Sequence, residues 1–270
     1  MNNKKISFIG SGKMAQAIFG GMLKSGFTRH EDLIASAKTA ATSEMISKQY
    51  EIKTTMDNKV AASYGDIVVL AVKPYLYTEV LQEIKSSLQE NAIIVTIAAG
   101  VDLSYMEEQL SAKSKIIRTM PNTPSLVGEG MSVVCPNENV TDEELQYIVE
   151  LFSSFGKVEV MEERLMDAIP AISGSSPAYA FLFIEALADG GVRSGIPRET
   201  SYRLAAQALL GAAKMVLETG KHPGVLKDEV CTPGGTTIEA IATLEQMQFR
   251  GAVMAAMDRC TQKNKELQKK

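Results

Sequence analysis

The chain has 270 residues, 45% of them hydrophobic and 22% charged, with a formal net charge of −4. This is ordinary globular composition, long enough for two modest domains and a core that needs no staples. The acidic balance argues against a nucleic-acid partner. No apolar run approaches the roughly 18 residues expected of a membrane helix. The first residues lack the apolar centre of a signal peptide, so a cytoplasmic protein with no membrane partner is expected. Cys135, Cys231 and Cys260 are widely spaced, with no CxxC or Cys/His cluster. Neither a metal site nor a disulfide framework is expected from them.

Taken in chain order, Ile6–Ile9 is a short apolar run closed by glycine, which suits a buried strand. Lys13–Lys24 has helical spacing through Met14, Ala17, Ile18 and Met22. Asp32–Ala35 reads as a second strand and Ser43–Gln49 as a helix. Asp66–Val72, Ala92–Ala98 and Lys115–Met120 are strand-like, with helical Thr78–Leu88 and Leu103–Leu110 between them. Strands alternating with helices imply a parallel sheet covered on both faces. Met131–Cys135 and Lys157–Met161 look like later strands flanking a helical Asp142–Phe155. Beyond Met161 strand signals vanish. Helical segments follow at Pro177–Arg193, Arg198–Thr219, Thr237–Gln248 and Gly251–Gln268. Ala178–Ala188 is apolar almost all round, so it must be buried on most sides, and a second subunit is the expected cover. The predicted architecture is α/β: a doubly wound parallel sheet over residues 1–161, then an all-helical dimerisation and substrate domain over 162–270.

Gly10-Ser11-Gly12-Lys13-Met14-Ala15 fits GxGxxG/A. The pattern alone is weak, but here it follows a strand and opens a helix, as a Rossmann-type dinucleotide site requires. Gly10 allows the tight turn, Gly12 lets the backbone approach a pyrophosphate, and Ala15 lets helix pack on strand. An NAD site usually carries an acid after the second strand. This chain has Ser36, Ala37 and Lys38 there, and Ser36 and Lys38 can donate to a 2′-phosphate instead. NADP is therefore favoured, with NADH as the alternative reductant. The turns after the later strands read Val72-Lys73-Pro74, Ala98-Ala99-Gly100 and Met120-Pro121-Asn122-Thr123-Pro124. Their small residues and prolines let a flat ring approach the backbone. A structural role for Lys73 is favoured over a catalytic one. Asn122 suits a ligand or its own loop equally.

Asp228–Glu239 holds the most unusual stretch, Cys-Thr-Pro-Gly-Gly-Thr-Thr-Ile-Glu. Thr236 and Glu239 have capping-box spacing. With Gly234 and Gly235 ahead, such a helix start can present N–H groups to a small carboxylate, or be a plain helix start. Thr237 adds a hydroxyl that donates and accepts. Ser173-Gly174-Ser175-Ser176-Pro177 reads as a serine cap with proline at the first helical position, and so as architecture. The two histidines, His30 and His222, lie in no motif, which leaves a His-based mechanism poorly supported. Imine reduction asks less. A basic imine takes a proton from solvent, and the protein has chiefly to orient two rings and hold a carboxylate.

The segment Asp228–Glu245, with its run from Thr232 to Glu245, resembles the signature of pyrroline-5-carboxylate reductases. So do Ala71–Pro74, Met120–Pro124, Ser173–Tyr179 and Ala188–Val192, and the likeness runs along the whole chain in order. The resemblance implies NAD(P)H-dependent reduction of 1-pyrroline-5-carboxylate to L-proline, the last step of proline synthesis. It also implies a Rossmann domain, a helical domain that interlocks two subunits, and often a ring of dimers such as a decamer. By the same resemblance, substrate contacts fall on Gly234, Gly235, Thr236 and Thr237, with Glu163 and Asp228 nearby, and Thr237 supplies the hydroxyl near the ring nitrogen. Cofactor contacts fall on Ile9, Gly10, Ser11, Gly12, Lys13 and Met14; on Ser36, Ala37, Lys38 and Asn58; and on Ala71, Val72, Lys73, Pro74, Ile97, Ala98 and Ala99. Thr236 replaces an alanine of many relatives, and Ala37 replaces a serine of some. A β-hydroxyacid dehydrogenase is the enzymatic alternative, but Pro177–Glu185 lacks the lysine such enzymes carry on that helix. A non-catalytic NADP-binding regulator is the third reading, disfavoured by the intact Gly234–Thr237 stretch.

Overall fold

The computed structural model describes residues 4–268. In chain order its elements are β1 (Ile6–Ile9), α1 (Lys13–Ser25), β2 (Leu33–Ser36), α2 (Ala40–Tyr50), β3 (Lys53–Thr55), α3 (Asn58–Tyr64), β4 (Ile67–Leu70), α4 (Tyr77–Ile84) and β5 (Ile93–Thr96). There follow α5 (Leu103–Gln109), β6 (Lys115–Met120), β7 (Gly130–Pro136), α6 (Asp142–Ser153), β8 (Gly156–Val160) and a short α7 (Glu163–Met166). The helical part comprises α8 (Ser176–Arg193), α9 (Arg198–Thr219), α10 (Pro223–Val230), α11 (Thr236–Gln246) and α12 (Phe249–Gln268).

The strands form one sheet in the order β3-β2-β1-β4-β5-β6-β7-β8, parallel except for the β6–β7 pair. The order reverses beside β1, which pairs with β2 on one side and β4 on the other. The expected parallel, doubly wound sheet is therefore present, and its switch point lies at the carboxyl ends of β1 and β4, where such sheets take ligands. Successive strand residues face opposite sides, and both sides are covered. Ile9, Val68, Leu70 and Ile94 pack with Leu81, Ile84 and Met106 of α4 and α5. Phe8, Val69 and Val95 pack with Ile18, Phe19 and Met22 of α1 and with Phe152 of α6. Of the stripe that made α1 legible, Ala17, Ile18 and Met22 are buried and Met14 is half-buried, with Ala15 and Phe19 buried beside them.

Several features differ from expectation. β3 and α3 were not foreseen. β3 is three residues long with no fully buried position, so it lacks an apolar signal. α3 starts behind Asp57, whose carboxylate accepts from the Lys59 N–H at 2.8 Å. β7 runs antiparallel because a loop through Pro121–Glu129 turns the chain back without a crossover helix. α10 was also missed. The Ser173–Pro177 stretch is no simple serine-capped start, because Pro170–Gly174 already forms a π-helical turn leading into α8. Pro170–Arg193 is a 24-residue helical stretch long and apolar enough by composition to cross a membrane, where no such run was expected. Glu185, Asp189 and Arg193 interrupt it.

By its contacts the chain divides into two compact units. The first compact unit runs to Ser175 and includes the chain again from Cys260 onward; the second is Ser176–Arg259. Met166 and Ile169, beyond the expected boundary at 161, pack in the sheet's core cluster. The end of α12 is held there too, by Asn264 Nδ2 donating to the Asp167 carbonyl at 3.4 Å. Within the second unit Gly191 lies where a Cβ would meet Ser201 Oγ at 2.7 Å, so glycine lets α8 and α9 approach closely.

Candidate active site

The dinucleotide turn is built at the ends of β1, β2 and β4. Ile9 is fully buried and accepts from the Ala71 N–H at 2.9 Å, which fastens the end of β1 to that of β4. Gly10 has φ +94°, and a Cβ there would meet Ala71 O at 2.9 Å and Val72 Cγ1 at 3.0 Å. The protein itself thus requires glycine at this position. Gly12 differs: a Cβ there would meet nothing within 4 Å. It is the N-cap of α1, with extended backbone and no side-chain capping bond. The first N–H groups of α1 therefore have no capping side chain, and the backbone at Gly12 is open to close approach. That fits a pyrophosphate, which uses both the donors and the positive end of the helix dipole. Lys13 is exposed at the first helical position and Met14 half-buried behind it, while Ser11 is buried and its carbonyl accepts from Gln16 Nε2 at 2.9 Å.

Behind the turn lies a hydrogen-bonded chain that the sequence did not disclose. The Gly10 N–H donates to Ser36 Oγ at 2.9 Å, Ser36 Oγ donates to Asn58 Oδ1 at 2.7 Å, and Asn58 Nδ2 donates to Glu83 Oε2 at 2.8 Å. Ser36, only 2% exposed, spends its proton inside this chain. It is placed as a support of the turn and not as a free donor to a 2′-phosphate, the role expected of it. The Ala37 N–H is taken by Thr55 O at 2.9 Å, while Lys38 is exposed. Lys38 is thus the ready cation at the end of β2.

At the end of β4, the Lys73 carbonyl accepts from the Leu76 N–H at 2.9 Å, closing the turn that Pro74 enters, with the Lys73 side chain outside. Below it, the Tyr77 hydroxyl donates to Leu70 O at 2.9 Å and lies 2.9 Å from Thr96 Oγ1. Thr119 Oγ1 donates to Thr96 O at 2.9 Å. The carboxyl ends of β4, β5 and β6 are thereby tied together. Burial raises the Tyr77 phenol well above its ordinary range, so it is a fixed donor. Ile97 and Ala99 are half-buried and Ala98 buried on the same rim. Asn122 resolves in favour of its own loop: Nδ2 donates to Ser173 O at 3.0 Å and Oδ1 accepts from the Met131 N–H at 2.9 Å.

Glu163, expected near substrate, has its carboxylate engaged in the first unit. Oε1 accepts from the Leu103 N–H at 2.7 Å and from Arg118 at 3.3 Å, and Arg118 also pairs with Asp167 at 2.8 Å. Arg118 is 5% exposed. A buried guanidinium needs such partners, and nothing in the local sequence signalled it.

The second unit carries the other motif. Thr232-Pro233-Gly234-Gly235 forms a tight turn: the Gly235 N–H donates to Thr232 O at 3.0 Å and Gly234 has φ +66°. Proline then glycine at the two central positions is the sequence of a type II turn. Gly235 is the N-cap of α11 and makes no side-chain capping bond. The expected Thr236–Glu239 capping box is not formed, because Thr236 is already the first helical residue and cannot cap from there. Its absence leaves the first N–H groups of an eleven-residue helix without a side-chain partner. Thr237 is half-buried among them, and Asp228, exposed at the end of α10, pairs with Lys227. No group of metal-ligating side chains occurs among the described residues.

A switch-point dinucleotide turn on a doubly wound sheet, followed by a helical unit, defines a nicotinamide-dinucleotide oxidoreductase by class. Residues 163–267 match the family model for pyrroline-5-carboxylate reductase dimerisation, and residues 5–100 match that described as NADP oxidoreductase coenzyme F420-dependent. The chain is 46% identical to the pyrroline-5-carboxylate reductase of Escherichia coli, over 98% of this chain and 99% of that one. It is 43% identical to that of Methanosarcina acetivorans, over the full length of both. A crystal structure of Plasmodium falciparum pyrroline carboxylate reductase with NADP bound superposes with a TM-score of 0.91 at 34% identity, covering 99% of each chain. The chain belongs to the pyrroline-5-carboxylate reductase family.

Proposed function

We propose that this protein reduces 1-pyrroline-5-carboxylate to L-proline with NADPH, as the last step of proline synthesis. The observation that carries the proposal is the full-length match at 46% identity, on a chain whose dinucleotide turn and α11 start both leave helix donors without side-chain partners. When bound, the reduced nicotinamide supplies a hydride, and solvent supplies the proton that makes the imine an iminium. The remaining work is positioning. Ile9–Met14 would hold the pyrophosphate, with Ser36 and Asn58 bracing that turn from behind and Ala37 and Lys38 at the adenosine ribose. Ala71–Pro74 and Ile97–Ala99 would line the path toward the nicotinamide. The Gly235 N–H closes the turn on Thr232 O, so the N–H groups of Thr236 and Thr237 behind it, at the start of α11, would hold the substrate carboxylate. The Thr237 hydroxyl would donate to or accept from the ring nitrogen. Asp228 would stand near that ring, and Glu163 would act by holding Arg118. Lysine is absent from α8, which favours this reading over a β-hydroxyacid dehydrogenase.

The protein acts as a cytoplasmic homodimer, and its dimers assemble into a larger ring such as a decamer. Support comes from the dimerisation-domain match and from the exposed apolar side chains of α8, Phe181 at 65% and Leu182 at 67%. The test is NADPH consumption with pyrroline-5-carboxylate, matched by proline formed, on protein of known mass in solution. Stoichiometric proline supports the proposal. No turnover by a folded oligomer overturns it.

A further inference from the structure

The chain Gly10–Ser36–Asn58–Glu83 has a polarity, and one residue sets it. A carboxylate only accepts hydrogen bonds, whereas an amide can present either end and a hydroxyl can donate or accept. Glu83 Oε2 lies 2.8 Å from the Asn58 side-chain nitrogen, so it fixes which end of the amide faces α4. The opposite end, Oδ1, must then face Ser36, at 2.7 Å. Ser36 must donate to it, which leaves the oxygen's lone pairs for the Gly10 N–H at 2.9 Å. From the rest of these observations, and resting on the dinucleotide-dependent reading above, we infer that Glu83 is a positioning residue: through Asn58 and Ser36 it holds the Gly10 turn in the form that receives the cofactor's pyrophosphate.

The turn needs such a hold. Gly10 sits at φ +94°, in a region where only glycine is at ease, and glycine is also the residue with most freedom to leave it. Without the carboxylate the Asn58 amide can turn over. Its nitrogen would then compete with the Gly10 N–H for Ser36 Oγ, and the serine proton would lose its acceptor at a site 2% exposed. A buried donor without a partner is costly. Glu83 is half-buried on α4 and lies 73 positions from Gly10 in sequence, so no local motif announces it.

The experiment measures NADPH and NADH dissociation constants by fluorescence titration for the wild type, Glu83→Gln, Glu83→Ala and Glu83→Lys, with thermal melts to confirm folding. Plain electrostatics predicts that removing a carboxylate near an anionic cofactor tightens binding, most of all in Glu83→Lys. The relay predicts the reverse. Glu83→Lys donates to Asn58, turns the amide, and weakens both cofactors by about tenfold alike, because both share the pyrophosphate. Glu83→Ala weakens both by about threefold. Glu83→Gln can still accept from Asn58 and stays close to the wild type. The KM for pyrroline-5-carboxylate at saturating cofactor is unchanged throughout. Equal or tighter binding by folded Glu83→Lys and Glu83→Ala overturns the inference alone. A wild type that binds neither cofactor overturns the reading beneath it.

Discussion

The two units of this chain handle their apolar residues in opposite ways. In the first, both faces of the sheet are sealed: Phe8, Phe19, Phe152 and Phe155 are each at most 1% exposed. In the second, Ala188, Ser201 and Ala205 are the buried residues, while Phe181, Leu182, Leu204, Leu210 and Leu217 stand more than half exposed. Exposed apolar surface on this scale marks an interface. The difference teaches that the sheet unit carries its own hydrophobic stabilisation, whereas the helical unit, which matches a dimerisation domain, would draw much of its own from the proposed second copy. The dinucleotide turn rests on a core complete within one chain, whereas the proposed carboxylate cradle at α11 rests on helices whose apolar faces the proposed dimer would cover.

The sharpest way to break this contrast is to charge the helical face. Phe181→Asp should cost about 3–5 kcal/mol per chain, at least what losing a buried phenylalanine costs, and should dissociate the dimer. The wild-type melting temperature should rise with protein concentration. Sedimentation and melting at several concentrations check this, and an unchanged dimer would erase the distinction between the units. In the sheet unit, Gly10→Ala should cost about 2–3 kcal/mol of cofactor affinity through strain at positive φ and the contact with Ala71 O. It should leave the dimer intact, as titration and sedimentation on one sample would show. Thr237→Ala should lower kcat/KM by the worth of one oriented hydrogen bond, about 1–2 kcal/mol, with NADPH affinity unchanged. A loss of NADPH affinity instead would take Thr237 out of its proposed role. Tyr77→Phe leaves Leu70 O without that donor and should cost about 1 kcal/mol in denaturant unfolding.

Smallest is the effect at Cys135, whose thiol is pushed up to about 11 by burial, reinforced by the Glu163 carboxylate and opposed by Arg118. The folded thiol keeps its proton where the unfolded one, with an ordinary value of about 8.5, gives it up. Its contribution to stability is therefore complete below about 8.5 and is lost as pH rises toward the folded value. Native Cys135 should resist iodoacetamide near neutral pH and react once unfolded. Mass spectrometry of alkylated peptides checks this, and rapid native labelling would contradict it.

Much of this was legible beforehand, for physical reasons. β4 is an unbroken apolar run, and β1 and β5 are apolar but for Ser7 and Thr96, because both faces of these strands are covered; α1 shows its stripe because one face is buried. The glycine turn was legible because positive φ selects its residue. What stayed hidden lacks a local signature. β3 is too short and too exposed for a pattern. The capping-box spacing of Thr236 and Glu239 was misleading because Gly235 had already taken the cap. Ser36 read as a free donor because its partners, Gly10 and Asn58, are 26 and 22 positions away in sequence. The ion pairs of Arg118 with Glu163 and Asp167 span 45 and 49 positions, and only folding brings them together.

The most direct test of the central claim follows the hydrogen that is transferred. NADPH carrying deuterium at the nicotinamide 4-position, incubated with this protein and pyrroline-5-carboxylate, should yield L-proline labelled at C5, the former iminium carbon, with one deuterium per NADPH consumed when the transferred position is the labelled one. Proline without label, or NADPH consumed with no proline formed, would contradict the account.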